Sequence, residues 1–69
     1  STVVLYESTH RILKTLEEIR RRAPDRHLIV CRELTKLYET IYRGTPKDIM
    51  QKLEATSTKG EFVLVFSPL

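Results

Sequence analysis

The stretch Cys31-Arg32-Glu33-Leu34-Thr35-Lys36-Leu37-Tyr38-Glu39-Thr40-Ile41-Tyr42-Arg43-Gly44-Thr45 decides how the chain is read. It begins where the apolar run Leu28-Ile29-Val30-Cys31 meets a dense set of ionisable residues: Arg32, Glu33, Lys36, Glu39 and Arg43. In α/β proteins ligands gather where buried strands end and their loops begin, so the strand end that leads into Arg32-Glu33-Leu34-Thr35-Lys36 is the first place to look for a site. The same charges also read as a solvated loop. Leu34, Leu37, Tyr38, Ile41 and Tyr42 recur at helical spacing. Yet Thr40-Ile41-Tyr42 is β-branched and aromatic, with Glu39, Ile41 and Arg43 alternating against Thr40 and Tyr42. Periodicity alone slightly favours helix.

Working outward, Thr2-Val3-Val4-Leu5-Tyr6 is apolar at consecutive positions, as in an interior strand covered on both sides. Ser8 or Thr9 is a candidate helix N-cap. Ile12, Leu13, Leu16, Ile19 and Ala23 then make one apolar stripe, with Lys14/Glu18, Glu17/Arg21 and Glu18/Arg22 four apart on the other face. The run Arg20-Arg21-Arg22 suits the negative end of that helix; it has no interleaved aromatic residue to stack on a base. Pro24-Asp25 turns the chain, and residues 27–31 form a second strand. Gly44 breaks the ambiguous segment, and Thr45-Pro46-Lys47-Asp48 starts a helix with a cap, a first-position proline and an acid in the first turn. Ile49, Met50 and Leu53 are its buried face. Residues 55–60 read as a loop, and Glu61-Phe62-Val63-Leu64-Val65-Phe66 as a last strand.

The expected fold is α/β: a small mixed sheet of three to four strands with two main helices, in one domain of 69 residues. Two helices cover little more than one face of such a sheet. An apolar face or edge is therefore expected to need another domain or subunit. A net charge of +3 permits an anionic partner such as RNA. A single cysteine fits a reducing, cytoplasmic setting. The longest apolar run, residues 62–66, is far short of the roughly 20 residues that span a bilayer, so no membrane partner is expected. The start at Ser1, directly before a strand, suggests a piece of something longer.

There is no Walker loop, G-x-G-x-x-G, C-x-x-C or metal-spaced His/Cys cluster, so no metal is expected. Glu7, His10, Glu33 and Lys36 are candidates for acid/base work if both strand ends open on one edge. The alternative is that Glu7 and Glu33 pair with Arg11, Arg32 or Lys36 to neutralise that edge.

Three motifs in order, Tyr6-Glu7-Ser8-Thr9-His10-Arg11, Cys31-Arg32-Glu33-Leu34-Thr35-Lys36 with Glu39 and Arg43-Gly44-Thr45, and Gly60-Glu61-Phe62-Val63, carry a family resemblance. Together they resemble the C-terminal subdomain of bacterial small-subunit ribosomal RNA (cytidine-2′-O)-methyltransferases. These are tetrapyrrole-methylase-like (class III) S-adenosylmethionine-dependent enzymes. One departure is Thr9, where the family pattern has proline. The resemblance implies two lobes with S-adenosylmethionine between them, bound mainly by an N-terminal lobe whose G-D-A-G-T-P loop this chain lacks. It implies cofactor contacts at Glu7, Leu34, Thr35 and Phe62, and makes residues 39–44 a strand. On it, Arg32, Lys36 and Arg43 are candidate contacts to ribosomal RNA, and Glu33 or His10 a candidate proton acceptor. A homodimer is expected. The alternatives are a non-catalytic RNA-binding or dimerisation module, or a methylase of the same fold acting on a tetrapyrrole.

Overall fold

A computed structural model describes residues 2–33 and 38–66, with residues 38 and 39 described by their backbone alone. Strand β1 is Val3–Glu7, helix α1 Ile12–Arg22, β2 Leu28–Glu33, β3 Tyr38–Gly44, α2 Pro46–Thr56 and β4 Glu61–Phe66. The strands form one sheet in the order β1-β4-β2-β3. The expected α/β architecture, with two helices and four strands, is the one the chain adopts. The sheet, expected to be mixed, is antiparallel at every pairing. Each helical crossover skips one strand: β4 lies between β1 and β2, and β2 between β3 and β4.

The ambiguous segment is a strand from Tyr38 onward. The hairpin register Val30↔Tyr42 and Cys31↔Ile41 gives it backbone partners and brings Tyr42 into the core, which outweighs the helical spacing. β2 also runs two residues further than the sequence suggested, so Arg32 and Glu33 are strand residues rather than loop residues. β1 is an edge strand, not an interior one, with Val4 49% and Tyr6 77% exposed.

α1 buries Ile12, Thr15, Leu16 and Ile19. Its start differs from expectation. Arg11 is the N-cap and makes no side-chain capping bond. Instead the Ser8 carbonyl accepts from the N–H groups of Arg11 (3.0 Å) and Ile12 (3.1 Å), and the Thr9 hydroxyl is engaged elsewhere. On the outer face the Arg20 guanidinium donates to Glu17 (2.5 Å) and holds its carboxyl below the ordinary value of 4.5. That contribution is present above pH 4.5 and disappears as the pH falls through the lowered folded value.

α2 starts as the sequence indicates. Thr45 Oγ1 accepts from the Asp48 N–H (3.3 Å), and Asp48 Oδ2 accepts from the Thr45 N–H (3.4 Å), a reciprocal capping box with Pro46 behind it. Gly44 precedes the cap at φ +142°, and a Cβ there would lie 3.2 Å from Asp48 Cβ. Both the backbone angle and the space call for glycine.

The two helices pack together over one face of the sheet. Between them and the strands lie Ile12, Leu16, Ile19, Ile49, Leu53, Leu28, Val30, Phe62 and Leu64. Because side chains alternate along a strand, the opposite face carries Val4, Tyr6, Ile29, Cys31, Ile41, Val63 and Val65. Val4, Tyr6 and Ile41 on that face are exposed, which is the uncovered apolar face the composition of the strands implied.

Thr45→Ala should lower stability by about 1 kcal/mol in urea denaturation, and Thr45→Ser by much less, because only the second keeps the capping oxygen. The 69-residue chain alone should self-associate in light scattering through the bare sheet face, and Tyr6→Lys with Ile41→Lys should return it to monomer.

Candidate functional site

A cleft of about 520 Å³ opens at the end of the sheet where β1 and β2 finish and β4 begins. Tyr6, Glu7 and Ser8 form one wall, and Glu61, Phe62 and Val63 the other. Arg11 and Glu33 complete it. The walls belong together because the ladder ends in the pairs Tyr6↔Val63 and Glu7↔Phe62.

Glu7 shares its side of β1 with Val3 and Leu5, so its carboxylate meets the first turns of α1. Thr15 Oγ1 donates to Glu7 Oε2 at 2.6 Å, and Arg11 Nε lies 3.6 Å from the same oxygen. The side chain is 16% exposed, so this orientation is held rather than sampled. Thr15 was absent from the sequence reading, although it occupies a stripe position between Ile12 and Ile19. A polar residue in an apolar stripe is the signal that could have found it.

Glu33 and Glu61 stand directly opposite each other on β2 and β4. Like charges in that position are unfavourable by themselves. With Glu7 they make the cleft acidic, relieved by the neighbouring Arg11. Such a site suits a cationic or hydroxyl-bearing ligand, and Tyr6 and Val63 add apolar and aromatic surface, with the buried Phe62 behind them.

Of the residues singled out from sequence, Glu7, Glu33 and Phe62 therefore line one cleft at the end of the sheet, Glu7 and Phe62 from the helix side and Glu33 from the open side. His10 is exposed in the turn before α1 and is not among the lining residues. Leu34, Thr35 and Lys36 lie outside the described residues. Arg43 is exposed on the open face of β3, level with Ile29, three positions along from the level of Arg32. Three strand residues amount to roughly 10 Å.

Arg32 was expected at a phosphate; the structure buries it, with 6% of its surface exposed. Its alternation with Cys31 and Glu33 turns it under the helices beside Val30. There the guanidinium lies 5.5 Å from the Phe62 ring centroid and 5.6 Å from that of Tyr42, and donates to the Ser57 carbonyl. Its Nε is buried without a partner. The pairing of Glu33 with Arg32 considered from sequence does not form, because neighbours on a strand point to opposite faces; the pairing of Glu7 with Arg11 does.

Among the described residues no group of three or more His, Cys, Asp or Glu side chains is placed to hold a metal ion. Among them, too, no helix is long and apolar enough to cross a membrane.

No protein-family model matches the chain. Individual proteins do. Over 63 residues, 91% of the chain, it is 43% identical to ribosomal RNA small subunit methyltransferase I of Helicobacter pylori. Its identity to the protein of that name from Hydrogenobaculum is 46% over 65 residues, 93% of the chain. To that of Erythrobacter litoralis it is 40% over 68 residues, 99% of the chain. By sequence, the chain belongs to the ribosomal RNA small subunit methyltransferase I family. It spans 22% to 28% of the length of these relatives, so the family match is to a part of each. The cleft residues Glu7, Glu33 and Phe62 all fall in the stretches that carried the resemblance.

Arg32→Ala should destabilise the fold by about 2–4 kcal/mol in urea denaturation, with Arg32→Met recovering about half through the retained stem. A loss below about 0.5 kcal/mol would place the guanidinium in solvent instead.

Proposed function

We propose that residues 1–69 are the C-terminal subdomain of an S-adenosylmethionine-dependent methyltransferase that methylates a ribose 2′-hydroxyl in small-subunit ribosomal RNA. The observation that carries this reading is convergence. Segments around Glu7, Glu33 and Phe62, far apart in sequence and each part of the resemblance, line one cleft. The relatives, named as ribosomal RNA methyltransferases, supply the reaction class.

The donor set fits the cofactor. S-adenosylmethionine carries a sulfonium, an ammonium and ribose hydroxyls, for which carboxylates are the matching partners, and an adenine that suits apolar and aromatic surface. When bound, it supplies an electrophilic methyl group. Glu7, fixed by Thr15 and Arg11, is a preorganised acceptor for hydroxyl or ammonium hydrogens. Glu33 and Glu61 set a negative potential that favours the cation, and Phe62 gives the wall its apolar body. Glu33 is the candidate to take the proton from the ribose hydroxyl, since it stands in the cleft; His10, in the adjoining turn, is the second candidate. Leu34 and Thr35 are proposed to complete the cofactor contacts.

The remaining polypeptide is proposed to include an N-terminal lobe that closes over the cleft and makes most of the cofactor contacts. Arg43 and Lys36 are proposed to touch ribosomal RNA phosphates. The bare face of the sheet is proposed to be covered in a homodimer or by the neighbouring lobe, in a cytoplasmic enzyme.

In the full-length protein, Glu7→Gln should raise the KM for S-adenosylmethionine about tenfold, the size of one hydrogen bond to a charged group. Glu33→Gln should lower kcat on small ribosomal subunits by about 10²-fold. Calorimetry showing no S-adenosylmethionine binding by the full-length wild type would refute the reading.

A further inference from the structure

The cleft walls leave the sheet at the pair Glu7↔Phe62, where the β1–β4 ladder stops. Continuing that register by two places sets Thr9 opposite Gly60. There the Thr9 hydroxyl donates to the Gly60 carbonyl at 2.8 Å, a bond between residues 51 apart in sequence. A side chain thus does beyond the ladder what backbone pairing does within it. Gly60 takes φ +108°, a conformation that favours glycine at this junction. At its other end the same segment, 57–60, is held by Arg32, whose guanidinium donates to the Ser57 carbonyl. That guanidinium also lies against Phe62, the residue that forms the far wall of the cleft.

We propose that Thr9 and Arg32 are positioning residues that fix the two ends of segment 57–60 and so hold Glu61 at the mouth of the cleft, next to the Glu7↔Phe62 pair that the ladder itself sets. The inference rests on the reading of the cleft as the S-adenosylmethionine site. Neither residue needs to touch the ligand. Thr9 acts by closing the mouth between the strands, and Arg32 by bracing the loop and the Phe62 ring from below.

The test uses the full-length protein with Thr9→Val, which keeps the shape but loses the donor, Thr9→Ser, which keeps the donor, and Arg32→Lys. Thr9→Val should raise the KM for S-adenosylmethionine about 5-fold, the size of one net hydrogen bond, with kcat within about twofold. Thr9→Ser should restore the wild-type KM. Arg32→Lys keeps the charge but loses the planar fork and should also raise KM. Independently of the ligand, amide hydrogen exchange at residues 60–62 should quicken about tenfold in Thr9→Val, with Leu64 unchanged. Unchanged exchange overturns the staple. Faster exchange with an unchanged KM overturns the positioning role. A wild type that binds no S-adenosylmethionine, with the exchange effect intact, overturns the cofactor reading and not the staple.

Discussion

β4 is last in sequence and central in space, paired with β1 along one side and β2 along the other. Its Leu64 meets Leu5 and Val30, and its Phe62 meets Glu7 and Arg32. Until it is in place, β1 has no strand partner among the described residues, and the cleft has one wall. The insertion also fixes the layering. Each crossover must pass over a strand that is antiparallel to both of its ends, and the helices carrying those crossovers meet on one face. The other face carries aliphatic and aromatic side chains, of which Val4, Tyr6 and Ile41 are exposed among the described residues.

The second constraint is the two-residue period of β2. It sends Leu28, Val30 and Arg32 toward the helices and Ile29, Cys31 and Glu33 the other way. Adjacent residues of one motif therefore have unrelated environments. Arg32 becomes a buried brace between two aromatic rings, where its long stem packs and its planar head meets a carbonyl. Glu33 becomes a cleft carboxylate facing Glu61. The register also shifts between these two residues, a bulge at the rim of the kind that re-aims side chains beside sites.

Charge is handled differently in the two parts of the molecule. Along α1 the ion pairs of Glu17 with Arg20 and Arg21 are local, exposed and satisfied within one turn. At the cleft, Glu33 and Glu61 are set against each other by the sheet register, which is what a ligand site tolerates and a purely structural edge avoids.

The sequence by itself determined the elements whose causes are local. Thr45, Pro46 and Asp48 start α2 through bonds within one turn, the stripe Ile12, Leu16, Ile19 marks α1, and the apolar run at residues 62–66 marks β4. The three motifs also pointed to the family of the relatives, and they hold Glu7, Glu33 and Phe62, which line one cleft. What it left open were matters of partnership. Residues 38–44 are a strand because β2 is alongside, and β1 is an edge because β4 pairs with it on one side only. The Thr9 hydroxyl, read as a helix cap, bonds Gly60, 51 residues later, because the register of β4 brings that carbonyl within reach. Arg32 is internal for a similar reason: which side of a strand faces the helices is settled only when the sheet is assembled. Local spacing carries the element, and the neighbour across the ladder decides its face, its edge and its chemistry.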